Sequence, residues 1–339
     1  FFDSVRRSVV ADTSSLRAVL SELYGRPVGE DERIEEVVIR YEKYGTLYQV
    51  CSIDIIAAGL GTARLCASVA LSAQAKETLE REFELLRAFE EKGMRYLPRP
   101  LGKQWVDVGK AGRVESFLVV LVDWFEGFEE WHFQKHGRST RAFVWDMRGE
   151  YRFLSEAETF DLVRQASYIL TLCYDIESTR RVMPWHHGGG DFIVKTMGPG
   201  VEVRLVTVRG YEPIGDSSNE EPLRALCSFC VETLTKMRLD KREGMGESTW
   251  ADAFVVEAAL KGFCEALETK KARDEMKGIE VGDVLQALRS FSLEELRSLV
   301  RGQPADEKKY DLSDYGVVLR HLGRHSQEIY DAIRSLEGW

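Results

Sequence analysis

Hydrophobic positions recur at two different spacings along this chain, and the change of spacing divides it. Leu16, Val19, Leu20 and Leu23 follow a helical period, with Thr13 or Ser14 to cap it and Gly25 to end it, which predicts a helix over 14–24. Stretches 34–43 and 46–56, joined at Tyr44-Gly45, read as strands, and so does 63–71 beyond a loose turn at 57–61. Leu79, Phe83, Leu86 and Phe89 form one apolar stripe and predict a helix over 73–91, which Pro98 and Pro100 keep from continuing. Strands 103–108 and 116–124 follow, and 117–122 is apolar on both faces, as a central strand is.

Beyond 125–128 the pattern changes. Residues 132–151 are polar and aromatic with little periodicity, which predicts an irregular insertion. A long helix over 156–180 opens with the capping box Ser155-x-x-Glu158. A hairpin over 192–195 and 201–208 comes next, then helices over 222–239, 249–267, 281–288, 293–300 and 315–336. Ser292-x-x-Glu295 is a second capping box, and 268–277 and 302–309 read as charged connectors. The expected fold class is α+β, with a helical extension over 1–30, a small β-rich lobe over 31–127 and a mainly helical lobe over 128–339.

Composition narrows the function. The chain has 339 residues, 44% of them hydrophobic, enough for two folded lobes. A net charge of −10 and a pI near 5.3 lack the basic footprint that nucleic acid or an anionic membrane surface requires, so neither is an expected partner. No apolar run reaches about 18 residues, so no membrane span is expected. Cys227-x-x-Cys230 lies inside a helical pattern with no second pair, which points to buried core thiols, reduced in a cytoplasmic protein. The start, Phe1-Phe2-Asp3, has no signal-peptide layout and reads as trimmed or cleaved.

Candidate chemistry concentrates in 183–195, where His186, His187, three glycines and Asp191 precede the hairpin. Three readings compete. His186 acts as a general acid or base while Asp191 holds a cation beside a bound anion. Alternatively, His186, His187 and Asp191 ligate a transition metal such as zinc or iron. In the third reading the loop is structural, its histidines bonding to backbone and its glycines serving turns with positive φ. Arg209, at the end of the hairpin, either reaches an anion or pairs with Asp191 or a helix carboxylate. His321-x-x-x-His325 has metal-ligand spacing but no Glu partner, and is expected on an exposed helix face. Trp124, Phe125, Phe128, Trp131 and Phe133 are expected to pack at the lobe boundary, with stacking on a planar ligand as the alternative.

The order of elements from Ile34 to Val256 resembles the protein-kinase-like superfamily, and most of all its aminoglycoside and choline phosphotransferase branch. Leu121-Val-Asp-Trp-Phe-Glu-Gly127 is similar to the hinge of those kinases, Trp185–Val194 to their catalytic loop, and Leu205–Gly210 to the place of their metal-binding strand. The resemblance implies a two-lobed fold, a nucleotide with Mg²⁺ as cofactor, and a cleft between the lobes as the site. It places Arg64, Asp123, Trp124, Glu126, Thr207 and Arg209 at nucleotide-facing positions. His186 and His187 then lie in the catalytic loop, and Asp191 replaces the metal-binding asparagine.

Departures from that pattern are chemical. The third strand has Arg64 where those kinases have a lysine, Thr207 stands at the second metal position, and Lys43-Tyr-Gly-Thr46 lacks a glycine-rich phosphate loop. Glu77, Glu80, Glu82 and Glu84 of the following helix read as a solvated face, with Lys76 opposite Glu80. Phosphoryl transfer depends on positioning and electrostatics, so each lost charge matters. The expected function is a kinase-like protein without standard ATP-dependent transfer, binding or regulating a small molecule or protein of unknown identity. The alternatives are a divergent small-molecule phosphotransferase using His186 and Asp191, or a metal-dependent hydrolase or redox site.

Overall fold

The computed structural model describes residues 13–44, 47–110, 113–145, 151–183, 185, 187–214, 221–241, 248–302 and 312–336. The fold is α+β, with antiparallel sheets and helices in two compact units, 1–126 and 127–339, as the resemblance implies.

In the first unit, helix α1 (Thr13–Tyr24) precedes β1 (Ile34–Tyr44), β2 (Tyr48–Ala57) and β3 (Gly61–Ala70). Helix α2 (Ala73–Glu91) follows, then β4 (Pro100–Lys110) and β5 (Arg113–Asp123). The strands pair antiparallel in the order β1-β2-β3-β5-β4. The doubly apolar run has a direct cause. Phe117, Val119 and Leu121 join Leu16 and Leu20 of α1 in one core, while Leu118 and Val120 join Leu79 and Phe83 of α2 on the opposite face. Alternate residues of a strand point to opposite faces, so a sheet covered by a helix on each side needs apolar residues at every position. Each fully buried Leu or Val contributes about 2 kcal/mol. Ser72 caps α2 by accepting from the Ala75 amide. Lys103 of β4, rather than Lys76, pairs with Glu80 and Glu84, at 3.1 and 2.7 Å.

In the second unit, the described residues of the expected irregular insertion over 132–151 form β-structure instead, with 146–150 outside the described residues. Strand β6 (Glu129–His136) pairs with β7 (Ser139–Trp145), and β7 pairs with β8 (Tyr151–Phe153). Trp131, His132 and Phe133 are all buried, whereas Gln134 to His136 are exposed. Because both faces of β6 are covered at one point and open at another, no alternation shows in the sequence. Helix α3 (Glu156–Cys173) has both arms of the Ser155/Glu158 capping box but stops at Cys173, short of the expected Arg180. Strand β9 (Arg180–Val182) follows it.

The hairpin consists of β10 (Phe192–Met197) and β11 (Gly200–Leu205), so Thr207 and Arg209 lie beyond its strand rather than in it. Strand β10 also pairs with β6, which makes the hairpin part of a five-stranded sheet, β11-β10-β6-β7-β8. Strand β12 (Tyr211–Pro213) pairs with β9. Helix α4 (Pro222–Lys236) leads to β13 (Leu239–Asp240), which pairs with β14 (Thr249–Trp250) where a helix was expected.

Helix α5 (Phe254–Ala272) runs into the expected charged connector. It packs closely on α3, for a Cβ at Gly262 would sit 2.0 Å from the Arg164 carbonyl oxygen. Helices α6 (Val281–Ser290), α7 (Leu293–Gly302) and α8 (Leu312–Ser335) complete the unit. Ser292 and Glu295 form both arms of the second capping box, at 2.7 and 3.2 Å. The expectation of an exposed His321-x-x-x-His325 face fails at His325, which is 1% exposed because α8 turns that residue inward onto α4. Among the described residues no helix is long and apolar enough to cross a membrane.

Candidate functional site

The segment that the sequence singled out joins β9 to β10. His186 and Pro184 lie outside the described residues, as do Gly45 and Thr46 of the β1–β2 turn. The three glycines are dictated by close approach. A Cβ at Gly188 would meet the Trp131 ring at 2.9 Å. One at Gly189 would meet the Trp131 carbonyl oxygen at 2.5 Å, Asp240 Oδ1 at 2.7 Å and His132 Nδ1 at 2.8 Å. Gly190 has φ +89°, a conformation that side chains with a Cβ rarely adopt. These glycines let the turn lie against β6 and β13.

Beneath the turn, a buried pair that sequence reasoning missed holds the two strands. Asp240 Oδ2 accepts from the Phe133 amide at 2.5 Å, and Asp240 Oδ1 lies 3.1 Å from His132 Nδ1. A carboxylate only accepts, so Nδ1 of His132 carries the proton. The partners are 108 residues apart, and no local pattern announces such a pair.

Asp191 is 5% exposed. Its Oδ1 accepts from Arg209 Nη1 at 2.9 Å and from Thr207 Oγ1 at 3.2 Å, and its carbonyl accepts from the Val206 amide at 2.9 Å. The three residues that the sequence assigned to metal and anion binding are therefore brought together and bonded to one another. His187 Nε2 lies 3.0 Å from Asp314 Oδ2, and Ser248 donates to Asp314 Oδ1. Burial alone pushes the Asp314 carboxyl upward. The hydrogen bonds from His187 and Ser248 and the charge of Lys241 outweigh it and hold the carboxyl below its ordinary value. The carboxylate is the middle member of this chain. A hydroxyl nucleophile needs the imidazole in that place to take its proton, so the arrangement orients His187 rather than activating Ser248.

Before the turn, the β9 end is anchored on α4. Glu232 takes Arg181 Nε at 2.8 Å on one oxygen and Lys236 Nζ at 2.9 Å on the other. Lys236 is 1% exposed, lies 3.3 Å from Met183 Sδ and sits over the Trp185 ring. Burial pushes the Glu232 carboxyl up, but Lys236 and Arg181 overcome this and keep it ionised. The i,i+4 spacing of Glu232 and Lys236 was the available signal, hidden in a helix read as core.

In the first unit, Arg64 faces Asp54 across β2 and β3, with Nε 2.6 Å from Oδ1 and Nη2 3.1 Å from Oδ2. It also pairs with Glu126 at 3.6 Å and lies over the Trp124 ring. Hydrogen bonding from Arg64, joined by Arg40 and opposed by burial, holds the Asp54 carboxyl below its ordinary value. Asp123 Oδ1 accepts from the Arg99 amide at 2.7 Å, which fixes the start of β4. Trp131 and Phe133 are core residues packed edge to face, and Phe128 lies beneath Lys195 and Arg204.

Comparison with known proteins finds no matching family and no matching curated protein. Among solved structures, the chain is similar to the apoenzyme of macrolide 2'-phosphotransferase MphH from Brachybacterium faecium. Identity is 9%, 97% of this chain and 100% of that one are covered, and the TM-score is 0.36. A likeness this slight carries no argument about activity.

Proposed function

We propose that this chain is a kinase-like protein that has given up Mg²⁺-ATP phosphotransfer and works as a ligand-binding or regulatory module. The observation that carries the reading is the engagement of Asp191 by Arg209 and Thr207. Mg²⁺ demands hard anionic oxygens in near-octahedral geometry and sheds its own water reluctantly. Here the carboxylate at the implied metal position is already neutralised by a guanidinium, and the neighbouring ligand position is a neutral hydroxyl that donates to the same oxygen. The donor set does not fit the ion.

Arg64 supports the same reading. In the implied role it would reach for nucleotide phosphates, yet its guanidinium is spent on Asp54 and Glu126. The tri-glycine turn has a steric explanation that needs no phosphate. A divergent phosphotransferase using Asp191 would first have to release Arg209 and Thr207 from a buried carboxylate, a costly exchange. The test is magnesium-dependent thermal stabilisation of the full chain by ATP combined with an assay for phosphate release. The reading expects neither.

A further inference from the structure

A second feature of the 127–339 unit is independent of Asp191. Between β14 and α8 lies a pocket of about 380 Å³, within the range of small-ligand sites. Four permanent cations, Lys135, Arg238, Arg320 and Arg324, face it beside two carboxylates, Asp252 and Glu328. In a chain of net charge −10, that local surplus of two positive charges runs against the whole.

The carboxylates are committed. Asp252 takes Lys135 at 3.0 Å and the Thr140 amide, and Glu328 takes Arg238 and Arg324 Nε. Arg238 is spent as well, with Nε and Nη2 on the Ala251 carbonyl and Nη1 on His325 and Glu328. Among the described residues, Arg320 and the ring nitrogens of His321 make no hydrogen bond or ion pair, and Arg324 keeps both terminal nitrogens beyond its Glu328 contact. Arg320 and Arg324 are four residues apart on α8, where like charges on one face repel unless an anion lies between them.

The wall behind them is rigid. Trp250 is stacked on His321, with centroids 4.9 Å apart and planes 5° apart, and the Arg238 guanidinium lies 4.6 Å from its ring centre. With the indole already engaged by His321 and Arg238, the pocket presents its polar groups rather than a free ring. It offers guanidinium forks, which match a tetrahedral oxyanion. We propose that this pocket binds a dianionic phosphate group, free or carried on a small monoester, through Arg320, Arg324 and His321.

A second consequence follows at His321. Burial, with Arg238, Arg320 and Arg324, holds its imidazole below the ordinary value against the opposing charge of Glu328; Lys135 and Asp252 face the same pocket. A bound dianion offsets those guanidiniums and raises the imidazole pKa.

The experiment titrates the full chain with inorganic phosphate and, separately, with glycerol phosphate, at constant ionic strength kept with chloride. It follows the thermal midpoint and the His321 imidazole resonance. The expected result is saturable stabilisation with a rise in the His321 pKa. In the R320Q/R324Q variant the apparent affinity falls at least about tenfold, as it does when a charge-assisted pair is lost. Arg297→Gln, an exposed arginine of α7 paired with Glu294, leaves binding unchanged. Tighter binding of the ester than of phosphate identifies the monoester as ligand, and the reverse identifies free phosphate. If the double variant folds poorly, Arg320→Gln alone serves, since it breaks no bond among the described residues. The proposal is overturned by no saturable response up to about 10 mM, the weak end of small-ligand affinity. An equal response in Arg320→Gln and the wild type, or in chloride alone, overturns it too.

Discussion

Arg209 donates to Asp191 across 2.9 Å, and the pair joins the segment after β11 to the tri-glycine turn. With Asp191 5% exposed, removing Arg209 takes a guanidinium away from a buried carboxylate. Arg209→Ala should cost roughly 3 kcal/mol, the lower end for breaking such a pair because Arg209 is itself partly exposed. The unmasked carboxylate should then attract a divalent cation. Urea unfolding with and without Mg²⁺ checks both points, and the variant, not the wild type, is expected to gain stability from the metal. Loss of less than about 1 kcal/mol, the scale of an exposed pair, would show the contact to be a surface one.

The glycine turn makes a sharper steric prediction. Gly189→Ala should destabilise by about 2 kcal/mol or more, because its methyl has no room between Trp131, His132 and Asp240. Gly282→Ala in α6, where nothing lies within 4 Å, should instead stabilise by about 0.5–1 kcal/mol. If both alanines behave alike in thermal unfolding, close approach is not what the turn requires.

Much of the fold was legible where its forces are local and periodic. Residues 117–122 announced a strand covered on both faces, and Ser155/Glu158 and Ser292/Glu295 announced helix starts. Strands β6 and β7 were not legible, since burial along β6 follows uneven coverage instead of alternation. The site shows the same limit. Asp191, Thr207 and Arg209 were each visible as candidates, and the Asp191–Arg209 pair stood among the alternatives. His132 with Asp240, and His187 with Asp314, are pairings set by tertiary packing over 108 and 127 residues, beyond any local pattern.

His325 gives a pH prediction. Arg238 Nη1 donates to its Nδ1, so Nε2 carries the proton and donates to Thr235 Oγ1, whose own hydroxyl donates to the Val231 carbonyl. Burial, reinforced by Arg238 and His321, holds the folded imidazole well below its ordinary value near 6.5. The unfolded state therefore binds the additional proton below about pH 6.5, so this contribution is complete above that pH and is lost as pH falls. The slope is about 1.4 kcal/mol per pH unit for one such group. His321 adds a contribution of the same sign. Denaturant unfolding at neutral and mildly acidic pH should show the loss, and His325→Gln should flatten it. An unchanged slope in the variant would contradict the assignment.

Cys227 and Cys230 are buried in α4, and burial pushes the Cys227 thiol up to about 12 and that of Cys230 well above its ordinary value. The thiolate is the reactive form, so a disulfide-exchange reagent should leave both unmodified in the native protein. In denaturant all six cysteines should react. Rapid native labelling of either helix thiol would contradict this burial.

Calorimetric titration of the full chain with Mg²⁺-ATP tests the central claim most directly. With Asp191 held by Arg209 and Arg64 held by Asp54, the account predicts no magnesium-dependent heat of nucleotide binding and no phosphate transfer to water or any added acceptor. Magnesium-dependent binding accompanied by transfer, and abolished by Asp191→Asn, would contradict it.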